Sequence, residues 1–137
     1  AVFHPGGSLG RRLLTKVQDV MRKDNLPCVS KEMTLGNVII AISDARLGIA
    51  AIVEDGKLIG VITDGDVRRA MTKYKENFFN IQAQEIMTHT PKTILPTERI
   101  VVAEEMMRKN KIHSIIVVDE ENHVVGIVEF FNVSIMG

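Results

Sequence analysis

Tryptophan is absent from this 137-residue chain, and one tyrosine and five phenylalanines are its only aromatic rings apart from four histidines. A single cysteine, Cys28, excludes an intrachain disulfide and any zinc site built on paired cysteines. It lies in the apolar stretch Leu26-Pro27-Cys28-Val29, which reads as a buried small side chain rather than a reactive thiol. One cysteine also suits a reducing, cytoplasmic setting. Net charge is missing as well, because 17 basic and 17 acidic residues cancel. Without a long-range field there is no general attraction to nucleic acid, so no nucleic-acid partner is expected and any anion must meet a local site. Apolar runs are short. Ile49–Val53 and Ile115–Val118 are strand-sized, whereas a bilayer span needs roughly 20 residues, so no membrane partner is expected. No signal peptide is visible, and the opening Ala-Val-Phe-His without an initiator Met reads as the start of a fragment.

Catalytic and metal signatures are lacking too. No glycine-rich phosphate loop or dinucleotide fingerprint is present. Asp64-Gly65-Asp66 lacks the acidic spacing and terminal glutamate of a calcium loop. No nucleophile stands with a base. The chain by itself is therefore not expected to be an enzyme, to require a cofactor or to hold a metal.

What the chain does have is a 45% hydrophobic composition, ample for a core, and an internal repeat. Val17-Gln18-Asp19-Val20-Met21 recurs as Ala83-Gln84-Glu85-Ile86-Met87, 66 positions on. Gly48–Val53 recurs as His113–Val118 at 65, and Leu58–Ile62 as Val124–Val128 at 66. Each repeat reads as β-α-β-β-α. In the first, Pro27–Ser30 is a short strand. Leu35, Val38, Ile39 and Ile42 then mark one helix face, with Thr34 as N-cap and Gly48 as the exit. Ile49–Val53 and Leu58–Thr63 form a hairpin through Asp55-Gly56, a dipeptide suited to the positive φ angles of a tight turn. A second helix starts near Asp64 with Val67, Ala70, Met71 and Tyr74 on one face. The second repeat follows with a strand at Lys92–Leu95, a helix at Glu98–Asn110, a hairpin of Ser114–Val118 and His123–Glu129, and the start of a last helix. Lys75–Gln82 reads as the linker, with Phe78 and Phe79 packed against the repeats.

The stretch Gly60-Val61-Ile62-Thr63-Asp64-Gly65-Asp66-Val67-Arg68-Arg69 has a glycine, two strand residues and Thr-x-x-Asp entering a helix. With the repeat, it resembles the CBS-domain pair, or Bateman module, over about residues 17–137. The fold implied is α/β (α+β), two CBS repeats packed as a pseudo-twofold pair, with repeat 1 at 15–76 and repeat 2 at 77–137, its last helix truncated. Phe3-His4-Pro5-Gly6-Gly7-Ser8-Leu9-Gly10-Arg11-Arg12-Leu13-Leu14 resembles the exit from a sugar isomerase (SIS) domain, so 1–14 reads as that domain's tail. The combination resembles the arabinose-5-phosphate isomerases of the Kdo (lipopolysaccharide) pathway. The resemblance implies a parent enzyme that interconverts ribulose 5-phosphate and arabinose 5-phosphate. It also implies a catalytic role for His4 in that parent, where a histidine suits an aldose–ketose proton shift.

Thr63 and Asp66, three apart across a strand-to-helix junction, can face one cleft. An ionised aspartate suits a ribose diol, threonine can donate to an oxygen, and the helix end favours phosphate. Helix capping is the plainer role and is compatible with binding. The resemblance implies that residues at these two positions contact the ribose and phosphate of a nucleotide. It also implies that backbone groups of Cys28, Val29 and Ser30, and of Gly48, Ile49 and Ala50, hold the base. Arg68 and Arg69 are candidate anion clamps, although neighbours on a helix point about 100° apart. His113, at the Gly48 position, is a further candidate. In the second repeat Glu129 and Asn132 replace Thr63 and Asp66, so that site is expected to be degenerate. The expected function is regulatory sensing of a small-molecule nucleotide, either CMP-Kdo as feedback ligand or AMP/ATP. The alternative is a purely structural oligomerisation module of the isomerase. On either reading the resemblance implies a homodimer through CBS helices within a tetrameric parent.

Overall fold

Leu35, Val38 and Ile42 recur at helical spacing and are all buried, which fixes the inward face of one helix. The computed structural model describes residues 8–134. In chain order these form α1 (Ser8–Leu14), α2 (Val17–Val20), β1 (Cys28–Val29), α3 (Leu35–Ala45), β2 (Ile49–Glu54), β3 (Lys57–Thr63) and α4 (Asp64–Tyr74). Two 3-10 helices follow, Lys75–Asn80 and Ala83–Glu85. The second repeat supplies β4 (Thr93–Ile94), α5 (Ile100–Asn110), β5 (Ser114–Val118), β6 (Val124–Glu129) and α6 (Phe130–Ser134). His4 lies outside the described residues.

Each repeat contributes one three-stranded sheet, in the order β1-β2-β3 and β4-β5-β6. The first strand of each runs parallel to the second, with Cys28 opposite Ala51 and Thr93 opposite Ile116. β2 and β3 are antiparallel, and Asp55 (φ 54°) and Gly56 (φ 80°) both take the left-handed conformation that the hairpin turn requires. One core gathers Leu35, Val38, Ile52, Ile62, Val67 and Phe78. The other gathers Val17, Ile100, Met107, Ile115, Val117 and Val128.

Compact unit and sequence repeat are different divisions of the chain. The segment ending at Asp24 joins Lys92–Glu120 and the chain from Val125 onward in one unit, while Asn25–Pro91 joins Glu121–Val124 in the other. The backbone shows why. Thr88 exchanges two hydrogen bonds with Val61 on β3, at 2.9 and 3.1 Å. Arg22 exchanges two with Ile127 on β6, at 2.9 and 3.0 Å. Each repeat's leading segment thus completes the sheet of the other repeat.

Several local expectations need correction. α3 ends at Arg46, which takes the left-handed C-cap conformation itself (φ 60°) and donates its N–H to Ile42. Gly48 is also left-handed (φ 69°) but belongs to the lead into β2. Thr34 holds the N-cap position without a side-chain cap bond. α5 starts at Ile100 rather than Glu98, because the Glu98 carbonyl accepts the Val17 N–H (2.8 Å) in the crossing contact. Cys28 is exposed, not buried: strand alternation sends Val29 inward and Cys28 outward from the edge strand β1. Met71 is 44% exposed. Phe78 is buried as expected, but Phe79 is 66% exposed and lies over Gly36, edge-on to Phe78.

Candidate functional site

Thr63 is at once the last residue of β3, opposite Ile49, and the N-cap of α4. Its hydroxyl oxygen accepts the Asp66 N–H (3.2 Å), and Asp66 Oδ2 accepts the Thr63 N–H (2.9 Å). This reciprocal capping box satisfies two backbone donors that the strand and helix would otherwise leave open. Asp66 Oδ1 accepts a hydrogen bond from Arg69 Nη2 at 2.7 Å. The Asp66 side chain is 20% exposed and that of Arg69 73% exposed. Arg68, one position earlier on the helix, is exposed and takes no part in this cluster. Sequence alone did not separate the two arginines; the spacing of three from Asp66 to Arg69 is the signal that does.

Gly48 closes the junction from the other side. Its carbonyl accepts the Asp64 N–H (3.1 Å), and a methyl group on it would stand 3.3 Å from Asp64 Oδ2. Val29, Ile49 and Ala50 are buried, Val29 and Ala50 within the core, so their side chains are closed to a ligand. Cys28 and Ser30 are exposed on the edge strand. Surrounding atoms desolvate the Cys28 sulfur and push its pKa up, because burial disfavours the thiolate. Asp64, Thr63, Asp66 and Arg69 therefore cluster with Gly48 and the β2 end, while Cys28–Val29 form the neighbouring strand of β2, on its side away from β3.

The second repeat keeps the backbone and changes the chemistry. Phe130 donates its N–H to the His113 carbonyl (2.8 Å), as Asp64 does to Gly48. Glu129 and Asn132, both half-buried, stand where Thr63 and Asp66 stand in the first repeat. A carboxylate in place of the hydroxyl opposes a phosphate. His113 is exposed and belongs to this repeat's unit.

Two open grooves accompany these junctions. One, of about 410 Å³ between α3 and α4, is lined by Ile39, Ser43, Arg46, Gly48, Asp64 and Met71, and includes neither Thr63 nor Asp66. The other, of about 380 Å³ beside β4 and α5, is lined by Lys92, Thr93, Glu105 and Lys109 among others. Sequence reading found neither, although Ser43 and Arg46 interrupt the end of the α3 pattern. Among the described residues no cluster of three or more metal-ligating side chains occurs, and no helix is long and apolar enough to cross a membrane.

The CBS domain model matches residues 17–73 and 83–133. The chain belongs to the CBS domain family. This CBS pair is 47% identical over 130 residues to a protein named "Probable arabinose 5-phosphate isomerase" from Haemophilus influenzae, an alignment covering 95% of this chain and 38% of that protein. The chain thus spans about two fifths of that relative's length. Among solved structures, the CBS domain pair of protein MJ0100, in complex with 5′-methylthioadenosine and S-adenosyl-L-methionine, matches with a TM-score of 0.79 and 27% identity. That match covers 90% of this chain and 95% of the other. The CBS domain protein PAE2072 from Pyrobaculum aerophilum, complexed with AMP, matches with a TM-score of 0.76 and 21% identity over 85% and 88% of the two chains. That last likeness is one of fold alone.

Proposed function

We propose that this CBS pair is the regulatory module of a cytoplasmic arabinose 5-phosphate isomerase and binds a nucleotide at the Thr63–Asp66 junction. The observation that carries this reading is the junction itself. A carboxylate and a hydroxyl are locked in one geometry at the start of an 11-residue helix, with a guanidinium on the carboxylate. Preorganised groups of this kind lose little freedom when a diol and a phosphate arrive. The kinship to isomerases supports a parent aldose–ketose isomerase whose SIS domain ends near residue 14 and whose catalytic groups include His4. The complex of the similar MJ0100 CBS pair with 5′-methylthioadenosine and S-adenosyl-L-methionine supports an adenosine-bearing small molecule as the class of ligand. On this reading the main chain of Cys28–Ser30 and Gly48–Ala50 holds the base, and AMP, ATP or CMP-Kdo is the effector. The effector shifts the parent's activity only through unequal affinity for its two states. Calorimetry of the chain with AMP, ATP and CMP-Kdo tests the reading. Heat from at least one of them, abolished by Asp66→Ala, is the expected result; silence from all three, or equal binding by the variant, overturns it.

One observation favours a second reading, oligomerisation. Ile40 on α3 (56% exposed) and Met71 on α4 (44% exposed) place apolar area on the outer surface of the helices. A robust dimer by light scattering with no nucleotide response would make the module a scaffold, joining parent subunits through these helices.

A further inference from the structure

We infer that Arg69 sets the ligand class of the Thr63–Asp66 site, favouring 5′-phosphorylated nucleotides over the matching neutral nucleosides. The inference rests on the nucleotide-binding reading above and names the residue that discriminates.

Both oxygens of the Asp66 carboxylate are engaged. Oδ2 is held by the Thr63 main chain, which the fold fixes, and Oδ1 by Arg69, whose side chain is largely in solvent. A ribose diol that uses both Asp66 oxygens as acceptors must therefore share Oδ1 with Arg69. The exposed ion pair is weak, so Arg69 yields easily. What then becomes of the guanidinium depends on the ligand. A nucleoside leaves it without an anion. A nucleotide brings a phosphate, which matches the planar fork of the guanidinium.

The charges around the junction make this residue decisive. Asp64 and Asp66 put two carboxylates in the first turn of α4, and their field opposes a phosphate there despite the helix dipole. Arg69 is the cation that the structure brings onto this turn. It reaches back past residue 65, where a methyl group would stand 3.2 Å from Arg69 Nη1 and 3.3 Å from Nη2, a tight contact that the flexible guanidinium meets by shifting a few tenths of an ångström.

The test is calorimetry of the chain with AMP against adenosine and CMP against cytidine, for the wild type, Arg69→Ala, Gly65→Ala and Asp66→Ala. The wild type should bind a nucleotide roughly tenfold or more tighter than its nucleoside, the scale of a charged hydrogen bond. Arg69→Ala should collapse that ratio to below about threefold while nucleoside affinity holds or rises. Gly65→Ala, which crowds the guanidinium without removing it, should shrink the ratio part of the way. An unchanged ratio in Arg69→Ala, or an equal loss for nucleoside and nucleotide, overturns the inference and leaves the nucleotide-binding reading standing. Absence of binding by all four ligands to the wild type overturns the inference, and silence from ATP and CMP-Kdo as well overturns the nucleotide-binding reading. Loss of every ligand in Asp66→Ala, together with loss of the ratio alone in Arg69→Ala, supports both.

Discussion

Met87 lies so close to Gly60 that a methyl group on the glycine would stand 2.6 Å from its sulfur. Met21 and Gly126 repeat the relationship in the other half of the chain, again at 2.6 Å. In both places a backbone carbonyl, of Thr88 at 3.0 Å and of Arg22 at 2.9 Å, closes the same space. The glycine of the Gly-x-x-Thr stretch is therefore the seat on which the leading segment of the opposite repeat is laid.

This seat has a measurable consequence. Gly60→Ala and Gly126→Ala should each destabilise the chain by about 1–3 kcal/mol in urea denaturation, the usual cost of overfilling a packed contact. Adding Met87→Ala to Gly60→Ala should relieve the sulfur contact but not the carbonyl, giving a partial rescue. Wild-type stability in both single variants would mean that the segments are not seated there.

Glu104 offers a second test. It is 7% exposed, and both of its oxygens are held, Oε2 by Arg12 of α1 and Oε1 by Arg108 at 2.7 and 3.1 Å. Arg12 also donates to the Val133 carbonyl (2.9 Å), and the Arg108 guanidinium lies 5.1 Å over the Phe130 ring. One carboxylate thus ties α1 to α5 and α6. Glu104→Gln keeps the shape and removes the charge, and should cost about 1–3 kcal/mol. Trypsin should also cut faster at Arg11 and Arg12 as α1 is released from α5. An unchanged cleavage rate and melting temperature would show the cluster to be idle.

The capping box predicts that Thr63→Ala lowers stability by about 1 kcal/mol, while Thr63→Ser, which keeps the accepting oxygen, costs clearly less. Thermal melts of the two variants decide this. Equal melting temperatures for Thr63→Ala and the wild type would remove capping from the account of the junction.

Cys28 is the chain's only thiol and is exposed, which makes it a clean reporter. Its pKa is raised from the ordinary thiol value by desolvation, so the thiolate is scarcer in the folded chain than in a free thiol at pH 8. Alkylation by iodoacetamide at pH 8 should be slower in the native chain than in urea, and its midpoint on a pH titration should lie higher in the native chain than in urea. Saturating nucleotide should slow it further where the β1 edge holds the base. Native alkylation as fast as in urea would contradict the desolvation.

Much of this architecture was legible in the residue order because its causes are local. Asp55-Gly56 permits a left-handed turn wherever it falls, and Leu35, Val38 and Ile42 declare a helix face by spacing. Thr63 and Asp66 stand three apart, which is all that a capping box needs. The misreadings have causes that lie elsewhere in the chain. Cys28 looked buried because its neighbours are apolar, yet β1 is an edge strand and its outward positions meet solvent. Glu98 looked helical, yet its carbonyl is taken by Val17. Arg46, not Gly48, ends α3, because one non-glycine residue can occupy the left-handed well at modest cost when the helix needs a C-cap.

By itself the sequence determined the repeat, the order of strands and helices, and the pairing of hydroxyl with carboxylate at Thr63 and Asp66. All of these depend on neighbours within a few positions, whose geometry the backbone imposes. Only the tertiary structure decided that each leading segment serves the opposite repeat and that Glu104 fastens α1. The crossed segments and the Glu104 tie join residues distant in sequence, which only the folded chain brings together.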